Sequence, residues 1–154
     1  MPTMNKVDYK IASLLQQDGR LSNVELSDKI DLSPSPCLRR VKKLEEEGVI
    51  TGYYAALDRQ LVGLGMTIFV DVSLDNHRDE ASLQFESAIL AMHNVISCFV
   101  VSGASDYRLE VVVSDLLTYE AWLKTLQRLP IVKDIQSNFA IRAVKTTAPL
   151  PLKY

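Results

Sequence analysis

A chain of 154 residues is long enough for one domain or two small ones, and 47% hydrophobic with 23% charged residues is the composition of an ordinary soluble globular protein. A net charge of -2 argues against binding nucleic acid by bulk charge, so any such role must rest on a local patch. No apolar run approaches a membrane span, and the opening Met1-Pro2-Thr3-Met4-Asn5-Lys6 lacks the apolar core of a signal peptide, so a cytoplasmic location is expected. Cys37 and Cys98 have no metal-ligand spacing and sit among apolar residues, which predicts packed, reduced thiols and no metal site.

In chain order, Asn5 can cap a first helix with Asp8 in its first turn and Val7, Ile11, Leu14 and Leu15 at helical spacing, ending near Asp18-Gly19. Ser22-Asn23-Val24-Glu25 is a capping box. It opens a short second helix from Asn23 to about Lys29, expected to bury Val24, Leu26 and Ile30. Asp31-Leu32-Ser33-Pro34 then turns into a third helix, with Ser33 as N-cap, Pro34 at the first helical position and Gly48 as the stop. At 100° per residue Cys37, Leu38, Val41 and Leu44 form one apolar stripe, while Ser35, Arg39 and Lys43 lie opposite, flanked by Arg40 and Lys42.

Residues 1–52 hold eight Lys or Arg against eight Asp or Glu, yet between Ser33 and Lys43 there are four cations and no acid. Three helices with the last two joined by a short turn make a helix-turn-helix unit. In that context a cationic third helix is a recognition helix for double-stranded DNA rather than a solvated face. Arg39 and Lys43, with Ser35, are the candidates for base contacts. Arg40 and Lys42 are candidate phosphate clamps, and Ser33 and Ser35 with the helix N-terminus can also meet a phosphate.

Val49 to Leu57 is rich in β-branched and aromatic residues and reads as an extended linker. Met66 onward alternates, with Ile68, Val70, Val72 and Leu74 on one side; Asp75 to Asp79 is a polar loop containing His77; Ala81 to Met92 is helical through Phe85, Ala88, Ile89 and Met92. Val95–Ser102 and Tyr107–Val113 are strands joined by a Gly103-Ala104-Ser105-Asp106 loop. A helix capped by Ser114 or Asp115 runs to Leu129 with Leu116, Tyr119, Trp122, Leu123, Leu126 and Leu129 inward, and a last strand covers about 131–144.

The expected fold is α+β. A winged-helix-like helix-turn-helix domain (1–52) is joined by a linker strand and hinge (53–64) to a βαββαβ ferredoxin-like domain (65–154) for ligand binding and oligomerisation. Two helices cover one sheet face only. Cys98-Phe99-Val100-Val101 and Val111-Val112-Val113, read as inner strands apolar on both sides, therefore predict that the other face pairs with a second copy.

The Ser102-Gly103-Ala104-Ser105-Asp106-Tyr107 stretch has the inventory for a zwitterionic ligand: approachable amides, hydroxyls and an acceptor for an ammonium. The same residues also suit a plain hairpin turn. Ser137 and Asn138 on the last strand are secondary candidates. His77 and His93 have no ligand cluster near them in sequence, and no nucleophile–base pair, phosphate loop or paired carboxylates stand out, so no metal, cofactor or catalysis is expected.

With both halves placed, the chain resembles the Lrp/AsnC family of transcription regulators. The likeness is carried by Leu14-Leu15-Gln16-Gln17-Asp18-Gly19-Arg20 with Asn23 and Glu25-Leu26, Leu32-Ser33-Pro34-Ser35-Pro36-Cys37-Leu38-Arg39-Arg40, Leu44-Glu45-Glu46-Glu47-Gly48-Val49-Ile50, Ser102-Gly103 with Asp106-Tyr107, and Lys145-Thr146-Thr147 before Leu150-Pro151-Leu152. The resemblance implies a third helix in the major groove, dimers joining into rings that are commonly octamers, and an amino acid bound between C-terminal domains. Asn5 stands where an aspartate is common, and Arg108 where an apolar residue is usual, which bears on what the effector pocket accepts. Rival expectations are a haem-precursor decarboxylase of the same layout, disfavoured by the intact cationic helix and scarce histidine, and a ligand-sensing partner without DNA binding.

Overall fold

The computed structural model describes residues 3–76 and 78–153, so the expectation for His77 lies outside the described residues. The chain divides into two compact units, Met1–Ala56 with Lys145–Tyr154, and Leu57–Val144. The last ten residues, expected with the C-terminal domain, thus belong with the N-terminal unit. There the Gln16 side-chain amide pairs with the Leu150 backbone in both directions, each bond 2.9 Å.

The N-terminal unit is α1 (Lys6–Gln17), α2 (Asn23–Lys29) and α3 (Pro34–Glu46). Local chemistry starts each helix. Asn5 and Asp8 form a reciprocal capping box on α1, and Ser22 and Glu25 another on α2. Asp31 takes the left-handed conformation (φ 56°) that short polar residues tolerate, turning the chain from α2 towards α3. Gly48, at φ 70°, ends α3 as expected.

Ile11, Leu15, Leu26, Ile30, Cys37 and Leu44 form the core. Val24 does not join it: at 58% exposure it lies off the face of α2 that buries Leu26, Ser27 and Ile30. The Ser27 hydroxyl is buried at no polar cost because it donates to the Val24 carbonyl (2.8 Å).

Arg40 turns inward and sets how α3 is rotated. Its Nη1 donates to Asp8 Oδ1 at 2.8 Å, while Asp8 Oδ2 accepts the Asn5 backbone N–H at 3.0 Å. Asp8 is only 3% exposed. One carboxylate therefore caps α1 and holds α3, a cross-link that helical periodicity alone does not reveal.

Residues 51–58 belong to no helix or strand, and among the described residues no strand pairs with them. The linker strand expected over 53–64 is absent among the described residues. In its place, residues 59–63 form a turn in which Asp58 accepts from the Gln60 and Leu61 amides.

The C-terminal unit runs β1 (Met66–Leu74), α4 (Asp79–Leu90), β2 (Val95–Val100), β3 (Tyr107–Val113), α5 (Leu116–Gln127) and β4 (Val132–Phe139). The antiparallel sheet has the order β2-β3-β1-β4, the ferredoxin-like arrangement. Ile68, Val70, Val72, Leu109, Val111 and Val113 meet Phe85 and Ile89 of α4 and Tyr119, Trp122 and Leu126 of α5. Leu116, expected inward, is 60% exposed at the first turn of α5. The last strand stops at Phe139 rather than near 144, with one further backbone bond beyond it, from the Ala140 amide to the Thr67 carbonyl (2.9 Å).

Strand order also corrects the expected apolar open face. β2 is an edge strand, so Phe99 and Val100 are exposed, and Cys98 is an exposed rather than a packed thiol. The sheet face away from the helices carries Phe69 and a nearly buried Val112, but also Thr67, Asp71, Arg108 and Glu110. Arg59, from the turn before β1, bridges Thr67 and Glu110 on that face at 2.9 Å each.

Arg40→Met, which leaves Asp8 buried without its counter-charge, is expected to destabilise the N-terminal unit by about 3 kcal/mol. Urea unfolding of the full chain followed by circular dichroism measures this, and an unchanged transition would contradict the role given to the pair.

Candidate nucleic-acid interface and ligand groove

α3 begins at Ser33 (φ -73°, ψ 156°) with Pro34 in its first turn, and no side chain caps it. Pro34 and Pro36 carry no N–H and the Cys37 amide donates to the Ser33 carbonyl (3.2 Å), so within the first turn of α3 it is the Ser35 amide that can meet an anion. The Asn23 side-chain amide donates to the Pro34 carbonyl (2.8 Å), holding the start of α3 against α2.

With Arg40 and Cys37 facing inward, the outer face of α3 presents Ser35, Leu38, Arg39, Lys42, Lys43 and Glu46 around a shallow concavity of about 560 Å³. Arg39 and Lys42 form no ion pair among the described residues, whereas Lys43 lies 3.7 Å from Glu47. The cations expected on this face are therefore together, save Arg40, which the structure commits to Asp8. Glu46 shares this surface near the C-terminal end of α3. Leu38, placed by periodicity on the buried stripe, is 43% exposed among the cations.

Behind this helix, Tyr53 donates to Glu45 at 3.0 Å. Its phenol is pushed up to about 12, by burial first and then by the Glu45 carboxylate, so it stays a donor throughout the physiological range.

The second site lies in the C-terminal unit, where the β2–β3 loop meets the open sheet face in a concavity of about 660 Å³. Ser102, Ala104 and Ser105 line it from the loop, Val100 and Val101 from the end of β2. Its floor comes from residues that motif reading did not single out as a group: Asp71 and Ser73 on β1, Arg108 on β3, Asp134 and Gln136 on β4. Strand alternation gathers them, since Asp71 pairs with Arg108 on one side and Gln136 on the other.

Arg108 grips Asp71 with two bonds, Nε to Oδ1 at 2.7 Å and Nη2 to Oδ2 at 3.0 Å, and Asn138 adds a longer one at 3.3 Å. The guanidinium holds the Asp71 carboxyl below its usual range, chiefly by hydrogen bonding, against a smaller opposing effect of burial. Asp134 has no ion pair among the described residues.

The remaining expected effector residues are placed elsewhere. Gly103 forms the loop's turn at φ 121° with open space beside it. Asp106 staples the loop to the end of β1: its carboxylate accepts from the Leu74 amide (2.8 Å), and its own amide donates to the Val72 carbonyl (2.9 Å). Tyr107 points to the opposite side of the sheet, packing on Phe85 and donating to Glu86 at 2.9 Å. Ser137 also faces the helices, where its hydroxyl meets Tyr119. The groove thus combines hydroxyl and guanidinium donors, a carboxylate acceptor and a small apolar wall, a set that suits a small zwitterion.

Among the described residues no three His, Cys, Asp or Glu side chains gather as a metal site, and no helix is long and apolar enough to cross a membrane. Residues 4–51 match a winged helix-turn-helix DNA-binding family, and residues 67–150 match the Lrp/AsnC ligand binding domain. The chain is 42% identical over 153 residues to the Bkd operon transcriptional regulator of Pseudomonas aeruginosa, covering 99% of this chain and 100% of that one. It is 40% identical over 151 residues to the leucine-responsive regulatory protein of Haemophilus influenzae, covering 97% and 91% respectively. A Neisseria meningitidis transcriptional regulator solved in complex with L-Met superposes with a TM-score of 0.92 at 39% identity, covering 97% of each chain. An AsnC family transcriptional regulator from Agrobacterium tumefaciens gives 0.91 at 36% identity, covering 96% of this chain and 97% of that one. A helix-turn-helix unit that displays cations, a ligand-sized groove in a ferredoxin-like unit and these likenesses agree: the chain belongs to the Lrp/AsnC family of transcription regulators, with a DNA-binding and a ligand-binding domain.

Proposed function

We propose that this regulator reads its operator with the outer face of α3 and adjusts its hold on DNA when an amino acid fills the groove beside the β2–β3 loop. The observation that carries the first part is the sorting of cations on α3. Arg40 is held by Asp8, while Arg39 and Lys42, on the side away from the core, form no ion pair among the described residues. Arg39 and Ser35 are assigned to base edges, Lys42 and Lys43 to phosphates, and the Ser33 hydroxyl with the Ser35 amide to a phosphate at the helix start.

A patch this small on a chain of net charge -2 binds weakly alone. The reading therefore includes a homodimer, assembling further to an octamer, that brings several copies of α3 to the DNA in the cytoplasm.

For the effector, the chemistry of the groove supports a free amino acid, and the L-Met complex of the Neisseria relative supports the same class. Ser102, Ser105 and the loop amides are assigned to the ligand carboxylate, Asp134 to its ammonium. Gly103 permits the loop's turn, Ala104 keeps the wall low, and Asp106 fixes the loop in place.

Arg39→Ala is expected to weaken specific operator binding by about 1–3 kcal/mol while leaving thermal unfolding unchanged. Fluorescence anisotropy at fixed salt reads this, and undiminished affinity would remove Arg39 from the interface. In a thermal-shift screen of the twenty amino acids, one or a few should raise Tm, since a ligand at a hundredfold excess over Kd stabilises by roughly 2.7 kcal/mol. A flat response to all of them would contradict the effector class.

The Asp71–Arg108 pair gives a third test. A carboxyl whose folded pKa is depressed contributes stability above its ordinary value of 3.8, and that contribution is lost as pH falls through the lower folded value. Arg108→Leu should therefore lower the urea midpoint at pH 7 and flatten its fall on acidification. A wild-type pH profile in the variant would show that the pair does not contribute.

A further inference from the structure

We infer that Leu38 is a base-reading residue, its side chain meeting the C5 methyl group of a thymine in the major groove. This rests on the reading of α3 as the groove helix and names one feature of the sequence it selects.

An exposed leucine is by itself ordinary. Its setting is what distinguishes this one. Leu38 is the fifth residue of α3, within the N-terminal half that a recognition helix directs at base edges. Its neighbour Cys37 and, two turns on, Leu44 are buried at 0% and 1%, whereas Leu38 is 43% exposed, so its side chain is not needed to close the core. It shares its concavity with Ser35, Arg39, Lys42, Lys43 and Glu46, and Arg39 and Lys42 form no ion pair among the described residues.

The surface that complements this spot must be anionic around a small apolar projection. A DNA major groove over a thymine has that form: phosphates on both rims, polar base edges, and the thymine methyl as the apolar group on those edges. A protein surface could also cover a leucine, but two unpaired cations beside it would each lose hydration without gaining a partner unless that surface were acidic. In the assigned arrangement Arg39 reads a hydrogen-bonding base and Leu38 reads an adjacent T, so the helix specifies two bases by different chemistry.

The test uses the full-length protein and a duplex selected by it from a random-sequence pool. Each thymine is replaced in turn by deoxyuracil, which removes the methyl and leaves pairing intact. The wild type is expected to bind roughly three- to tenfold more weakly at one such position per half-site. Leu38→Ala should bind the thymine and uracil duplexes alike at that position. Equal wild-type affinity for both duplexes at every position would overturn the inference, and does so without any variant that has to fold. An undiminished uracil penalty in Leu38→Ala, or a change of oligomeric state in that variant with thymine selectivity intact, would overturn it too. In each of these cases the groove-helix reading survives, because specific binding is still measured. Failure of the wild type to enrich any duplex would instead remove both.

Discussion

The Asp8 carboxylate is the constraint on which the DNA-binding half depends. One oxygen caps α1 through the Asn5 amide, the other takes the Arg40 guanidinium from α3, and the group is almost sealed from solvent. A buried carboxylate must be paired, so α3 has one acceptable rotation about its axis, the one that keeps Arg40 turned in. That rotation is what places Ser35, Leu38, Arg39 and Lys42 outward. The small apolar core of Ile11, Leu26, Cys37 and Leu44 supplies packing, but leucine-like contacts tolerate some rotation, whereas a hydrogen-bonded ion pair does not.

The C-terminal half uses polar ties in the same way. Asp106 locks the β2–β3 loop onto β1, which gives the groove a wall of fixed shape. Arg108 and Asp71 lie across its floor, Arg108 standing where an apolar residue is usual in the family it resembles. Because that pair already satisfies its own charges, Asp134, which forms no ion pair among the described residues, is the carboxylate proposed for a ligand ammonium. Arg59, from the turn that follows the N-terminal unit, ends on Glu110 two residues beyond Arg108 on the same face, so part of the open sheet is occupied by the chain itself.

What the sequence made legible was what is decided locally. Asn5 and Asp8, Ser22 and Glu25, Gly48, and the alternation of Ile68, Val70, Val72 and Leu74 each carry their structural meaning within a few residues. Their elements appear where expected, and the βαββαβ order follows from them. What remained hidden depends on partners distant in the chain. Arg40 and Asp8 are thirty-two positions apart, and nothing in either segment names the other. Leu38 and Val24 show that periodicity gives the direction of a side chain and not the depth of the core beneath it. Whether Tyr107 and Ser137 share a face with Ser102 is set by register, and whether Cys98 is covered is set by strand order. The groove floor was invisible for the same reason, since Asp71, Arg108 and Gln136 become neighbours only once β1 is known to lie between β3 and β4.

The central claim is that α3 divides its cations, spending Arg40 on the fold and keeping Lys42 for DNA. The salt dependence of operator binding measures this directly in Arg40→Met and Lys42→Met, compared under conditions where both are folded. Each phosphate contact adds about 0.9 to the slope of log affinity against log salt. The account predicts a slope reduced by about that amount in Lys42→Met and unchanged in Arg40→Met. An equal loss of slope in Arg40→Met would contradict it, because the guanidinium would then be spending its charge on phosphate and not on Asp8.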